Sequence, residues 1–191
     1  MITVRPPDPP RIGGMFAELA TSDYSYPQVG ATRGDIPAGF NVDRYRSVLG
    51  SGDAVFESAK QALRDWVPFD LPWIRVFPQS EPDAGVMVAV VVHVVGLWWT
   101  NVNRVIYTVD EPDVFGFAYG TLPAHAEVGE EQFLVRRSGE SAEVTYEILA
   151  FSNPRHVLAR VAYPLSRSTQ RRFGAGSIAA MRKATEMHDD P

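Results

Sequence analysis

From residue 73 to residue 152 the chain is written in runs of apolar and β-branched residues broken by short polar or turn-forming stretches. The runs cover residues 73–77, 86–95, 98–109, 114–121, 127–137 and 142–151. Between them lie Gly96, Asp110-Glu111-Pro112-Asp113, Pro123-Ala124-His125 and Ser138-Gly139-Glu140-Ser141, which are turn formers. Valine-rich runs of this length predict strands. Such short separators exclude parallel crossovers, which need a dozen or more residues, so the pattern predicts an antiparallel meander. A further extended segment at about 42–49, with Arg44, Tyr45 and Arg46, precedes it. Gly85 to Trp99 contains almost no polar residue, yet it is too short to span a bilayer comfortably and is mostly valine. A buried strand is expected there, with His93 as a hydrogen-bonded core residue, and no transmembrane segment.

Two stretches carry helical rather than strand periodicity. Val55, Phe56, Ala59, Ala62, Leu63 and Trp66 share one face of a helix over 53–66, with Ser51 or Asp53 as N-cap and Pro68 and Pro72 as stops. The second helix is predicted to open at Asn153-Pro154 and to run to about Lys183, with Leu158, Val161, Ala162, Leu165, Phe173 and Ala180 as a loose apolar stripe. Pro164 predicts a kink and Gly174 and Gly176 weaken the helix further, so the stretch reads equally as one kinked helix or as two segments. The N-terminus is proline-rich and reads as extended over residues 1–11, followed by a helical turn at Met15-Phe16-Ala17 and a loop from Tyr24 to Phe40.

The expected organisation is an N-terminal extension (1–22), one domain (23–183) and a flexible tail (184–191). A sheet of this size with two helices buries its apolar face by curling around the longer one. The fold class is therefore α+β: a helix-grip arrangement, with a curved antiparallel sheet of about six to seven strands around a long, kinked C-terminal helix and a second helix after the first strand.

Composition narrows the chemistry. The 191 residues include no cysteine, which excludes disulfides, thiolate metal sites and a cysteine nucleophile. No secretory pattern is visible at the N-terminus, and a cytoplasmic location is expected. The four histidines are scattered without ligand spacing, so no metal and no cofactor is expected. Gly50-Ser51-Gly52 lacks the lysine of a phosphate loop, and no G-x-S-x-G occurs. Seven Arg and Lys residues stand between Pro154 and Lys183 without one Asp or Glu, in a chain of net charge −5. That asymmetry suits docking on an acidic sheet or an acidic partner, and the acidic whole argues against nucleic-acid binding.

Several stretches resemble the DUF1990 family. They are Val29-Gly30-Ala31-Thr32-Arg33, Leu49-Gly50-Ser51-Gly52, Arg75-Val76-Phe77-Pro78, Gly116 to Pro123 running on to Gly129-Glu130-Glu131, and Ala150-Phe151-Ser152 before Pro154. The Gly116–Glu131 block is the most specific. The family pattern has Gly-His-Pro where this chain has Ala124-His125-Ala126, so the histidine is kept and its turn is altered. The resemblance implies a START/Bet v 1-like fold and, by analogy, a cavity for a hydrophobic ligand. It implies no activity.

The residues of that block also carry the candidate chemistry. Along 114–121, Phe115, Phe117 and Tyr119 point one way and Gly116, Ala118 and Gly120 the other. The small face is a groove for the long helix, a source of sheet curvature, or a cavity wall. Glu131 shares parity with Phe133 and Val135, so it points inward if they do. There it is either a carboxylate paired with Arg104, Arg44 or Arg46, or a group whose burial raises its pKa towards that of a general base. His125, in the turn, is a second proton-transfer candidate. The leading reading is a binder of a hydrophobic or amphipathic small molecule, with Gly116, Ala118, Tyr119, Gly120, Arg104, Glu131 and Tyr146 as ligand-binding candidates. A cyclase, isomerase or hydrolase using Glu131, His125 and Tyr119 in the same cavity is the alternative. A protein-interaction module using the basic helix or the Tyr24–Phe40 loop is the third.

Overall fold

A computed structural model of the chain describes residues 1–123, 125–139, 141–154 and 163–186, with side chains described from Arg167 onward in the last segment. Seven strands form one sheet: β2 (Asn41–Ser51), β3 (Ile74–Pro78), β4 (Met87–Val94), β5 (Leu97–Glu111), β6 (Val114–Thr121), β7 (Glu127–Arg137) and β8 (Glu143–Pro154). Their order is β2-β8-β7-β6-β5-β4-β3, and every neighbouring pair is antiparallel. The two-residue β1 (Ile2–Thr3) adds to β5 at Trp98 and Trp99, beyond the reach of the shorter β6. Register shifts at Val48/Gly50 and Val105/Tyr107 are bulges, which bend and twist a sheet.

The inner face of the sheet carries Val88, Val90, Phe115, Phe117, Phe133 and Val135 against two helices, α2 (Asp53–Arg64) and α3 (Tyr163–Glu186). This is the expected helix-grip arrangement, an antiparallel sheet against a long C-terminal helix. α2 buries Val55, Phe56, Ala59, Ala62 and Leu63, the face expected from their spacing. Its N-cap is Gly52 rather than Ser51 or Asp53, and Trp66 lies just past its end with φ 58°, still buried. A 3-10 turn at Val67–Phe69 then delivers Phe69 into the core.

α3 departs from expectation at its start. Asn153 and Pro154 do not cap it; they extend β8, paired with Val128 and Glu127. Leu158, Val161 and Ala162 lie outside the described residues. Pro164 falls in the first turn of α3, where a proline removes no intrahelical hydrogen bond, so the helix is unbroken from Tyr163 to Glu186. Ala184 to Glu186 are helical, and the remainder of the expected tail lies outside the described residues. Gly174 and Gly176 are points of close approach: a Cβ on Gly174 would stand 2.6 Å from the Tyr45 ring, and one on Gly176 would stand 3.0 Å from Leu71. The basic helix turns part of its charge inward. Arg167 makes a two-pronged pair with Asp43, and the Arg172 guanidinium lies 4.6 Å from the Trp73 ring centre.

The outer face is covered too. Asp8 caps α1 (Pro9–Leu19) by accepting from the Arg11 N–H, and the prolines sit in its first turn, so the proline-rich start is a helix entrance rather than an extended arm. Ile12 and Phe16 of α1 pack on Met87, Ala89, Val91, Val102 and Leu122. His93 shares this outer face and is exposed, its ring stacked on Trp98 at 4.3 Å, which corrects its expected place in the core. Among the described residues no helix is long and apolar enough to cross a membrane.

Candidate functional site

Strand parity decides which side chains meet inside. On β7, Phe133 and Val135 are buried in the inner core, and Glu131, two residues before Phe133, points the same way. Its direct partner on β6 is Tyr119. The Tyr119 hydroxyl donates to Glu131 Oε2 at 2.7 Å. Burial raises the Glu131 carboxyl from 4.5 to about 7; the Tyr119 hydrogen bond opposes that shift, while Asp43 and Glu127 add to it. Burial, followed by the charge of Glu131, pushes the Tyr119 phenol well above its usual value. No ion pair to Glu131 is present among the described residues: Arg104 donates to the carbonyls of Leu19, Ala20 and Ser22 on the outer face, Arg46 pairs with Glu147, and Arg44 is exposed.

The pair lies in the wall of a cavity of about 760 Å³ between the sheet and α3. Phe69, Trp73, Ile74, Val90, Val92 and Phe173 make its apolar side. Asn101, Asn103 and Thr121 continue the polar side along β5 and β6. Asn103 is 1% exposed, and its Oδ1 has no hydrogen-bond partner among the described residues. At one end α3 is strapped to the sheet. Arg167 Nη1 and Nη2 hold Asp43 at 2.5 and 2.7 Å, while Gln170 accepts from Arg167 and donates to Glu127 at 2.8 Å and to Ser152 at 3.2 Å. His125 lines the same cavity, and its Nδ1 accepts the Glu127 N–H at 3.0 Å.

The structure therefore brings Tyr119, Glu131 and His125 to one cavity and sends the other candidates elsewhere. Gly116, Ala118 and Gly120 face outward, opposite the aromatic parity of β6. At Gly120 the space is filled by Tyr26 and Tyr24, since a Cβ there would lie 2.3 Å from the Tyr26 oxygen. At Gly116 a Cβ would instead lie 2.0 Å from the Phe133 carbonyl oxygen of β7. The small-residue face thus serves close strand approach at Gly116 and a floor for the N-terminal loop at Gly120, neither cavity wall nor groove for α3. Arg104 belongs to that outer side. Tyr146 is on the inner side but is sealed beneath α3, hydrogen-bonded to Ser177 at 2.7 Å and apart from the cavity lining.

The docked loop explains the neighbouring carboxylate. Glu130, 3% exposed, accepts from the Tyr26 hydroxyl at 2.8 Å, the Gly30 N–H at 2.7 Å, the Thr32 N–H at 3.0 Å and the Thr32 hydroxyl. Adjacent glutamates thus serve opposite faces: Glu130 is saturated by loop donors, and Glu131 keeps a single hydroxyl partner among the described residues. Asp43, Asn101, Asn103, Arg167 and Gln170 join the site without being expected there from sequence. Asn101 and Asn103 did carry a signal, because two asparagines recur there at the parity of Trp99 and Val105, on the face that turns inward.

Comparisons with known proteins agree on this frame. The family model described as "Domain of unknown function (DUF1990)" matches residues 25–180. A UPF0548 protein of Deinococcus radiodurans is 35% identical over 195 residues, covering 95% of this chain and 96% of its own. A UPF0548 protein of Dictyostelium discoideum is 35% identical over 157 residues, covering 76% of this chain and 73% of its own. Among solved structures, norcoclaurine synthase of Thalictrum flavum is similar with a TM-score of 0.55 at 12% identity, over 82% of this chain and 100% of that one. The Zhui aromatase/cyclase of Streptomyces sp. R1128 is similar with a TM-score of 0.53 at 18% identity, over 77% and 94%. At such identities the likeness concerns the fold.

Proposed function

We propose that this chain, which belongs to the DUF1990 family, binds an amphipathic small molecule in the cavity between its sheet and α3. The observation that carries the reading is the cavity itself: about 760 Å³, within the usual range for small-molecule sites, apolar on one side and polar on the other. A solid core would have filled that space, since interiors pack to crystal-like density. The apolar side supplies burial energy, and the Glu131–Tyr119 pair fixes orientation.

Titration with the neutral fluorophore N-phenyl-1-naphthylamine tests this. Saturable binding near one molecule per chain is expected, with at least tenfold loss in Val92→Trp, which fills the space from β4. An absence of saturable binding, or equal binding by a folded Val92→Trp, would overturn the reading.

One observation favours a second reading, proton transfer at the same place. A carboxyl brought to about 7 on the polar wall of a half-apolar cavity is poised to give or take a proton near neutral pH. In heavy water the protein would then speed exchange of the methyl hydrogens of bound 2-acetylnaphthalene, and Glu131→Gln would lower that rate by about 10²-fold or more. Equal rates in the two proteins remove the reading and leave binding intact.

A further inference from the structure

The polar side of the cavity is rich in acceptors. Asp43 and Glu131 both line it, and the Arg167 guanidinium holds Asp43 through both terminal nitrogens, with Nη1 also reaching Gln170. Glu131 has a neutral hydroxyl as its partner. Two strands away, the buried Asn103 adds an oxygen that has no donor among the described residues. An anionic ligand would bring a second negative charge against Glu131 in a poorly solvated space, where like charges repel strongly. A protonated amine does the reverse. It presents three donors and neutralises the carboxylate that burial disfavours.

From this arrangement we infer that the cavity selects cationic amphiphiles: molecules with an apolar body that fits among Trp73, Val90, Val92 and Phe173 and an ammonium group that reaches Glu131. The inference rests on the ligand-binding reading of the cavity and names its substrate class. It also gives the binding a pH dependence. The charged and titratable groups facing Glu131 are Tyr119 from β6, Tyr146 from β8, Asp43 and Tyr45 from β2, Glu127 on its own strand and Arg167 from α3, with His125 lining the same cavity. Of these, Asp43 is held by Arg167, and burial shifts all three tyrosines upward, away from neutrality.

Three probes with one apolar body decide the matter: 2-(1-naphthyl)ethylamine, 2-(1-naphthyl)ethanol and 3-(1-naphthyl)propanoate, each titrated by calorimetry into the full chain. At pH 8 the amine is expected to bind at least tenfold tighter than the alcohol, and the carboxylate weakest. The amine-to-alcohol ratio is expected to fall below about threefold in Glu131→Gln, and to narrow in the wild type at pH 5.5. If no naphthyl probe binds, the cavity reading itself fails and the inference with it. If the probes bind with the alcohol equal to the amine, or with the carboxylate tightest, only the inference fails. Should Glu131→Gln not fold, Tyr119→Phe decides, because it keeps the carboxylate: a retained amine preference supports the proposal and a lost one overturns it.

Discussion

Glu131 is a carboxyl group placed where being charged is unfavourable, and that has a thermodynamic consequence. Its folded value of about 7 lies above the ordinary 4.5, so between those values the folded chain holds a proton that the unfolded chain has released. The stability this contributes is fully present below about pH 4.5 and is lost as pH rises through about 7, an amount on the order of 3 kcal/mol. Glu131→Gln removes the titration. The unfolding free energy of the variant minus that of the wild type, from urea curves, is expected to rise by on the order of 3 kcal/mol between about pH 4 and pH 8. A difference that stays flat would show that Glu131 titrates normally. The inward direction of Glu131 was legible in the sequence, because the period of two ties it to Phe133 and Val135. The destination of Gly116, Ala118 and Gly120 was not. What fills its Gly120 end is Tyr26, whose hydroxyl reaches Glu130 from 104 residues away, and no local pattern encodes such a contact.

Elements show the same division between local signals and tertiary ones. The α2 stripe was legible because its burial follows its own period. Asn153-Pro154 is a good local helix cap, yet ladder pairing with β7 claims both residues for β8. The entrance of α1 was overlooked for the opposite reason: Asp8-Pro9-Pro10 is a cap followed by first-turn prolines, and the proline content hid it. Gly174 offers a measurement of the contact between α3 and β2. Alanine there gains about 1 kcal/mol of helix propensity. Its Cβ, however, would lie 2.6–2.7 Å from ring carbons of Tyr45, and overpacking of this kind costs about 1–3 kcal/mol. Gly174→Ala is therefore expected to lose about 1 kcal/mol net in urea unfolding. A gain in stability would mean that Tyr45 yields freely and that the close approach is unimportant.

At the scale of the whole molecule the sheet has two unequal faces. The inner one grips α3 but leaves about 760 Å³ unfilled, while the outer one is closed by α1 and the docked loop. Ile12 and Phe16 of α1 belong to the second hydrophobic cluster, together with residues of the sheet. Ile12, 2% exposed, stands in it among Met87, Ala89, Val91 and Leu122. Ile12→Ala is expected to cost about 2–4 kcal/mol, as a core truncation does, where a detached arm would lose under about 0.5 kcal/mol. The inner face then allows a second reading of the same variant. A ligand that binds only the folded state stabilises it by about 2.7 kcal/mol at a hundred times its Kd. That is comparable with the Ile12 deficit, and the two sites lie on opposite faces of the sheet, so their effects should add. Ile12→Ala saturated with N-phenyl-1-naphthylamine is therefore expected to melt close to the free wild type. If the probe binds the variant but leaves its melting unchanged, the cavity is not coupled to folding, and the picture of a hollow inner face offset by a closed outer one is wrong.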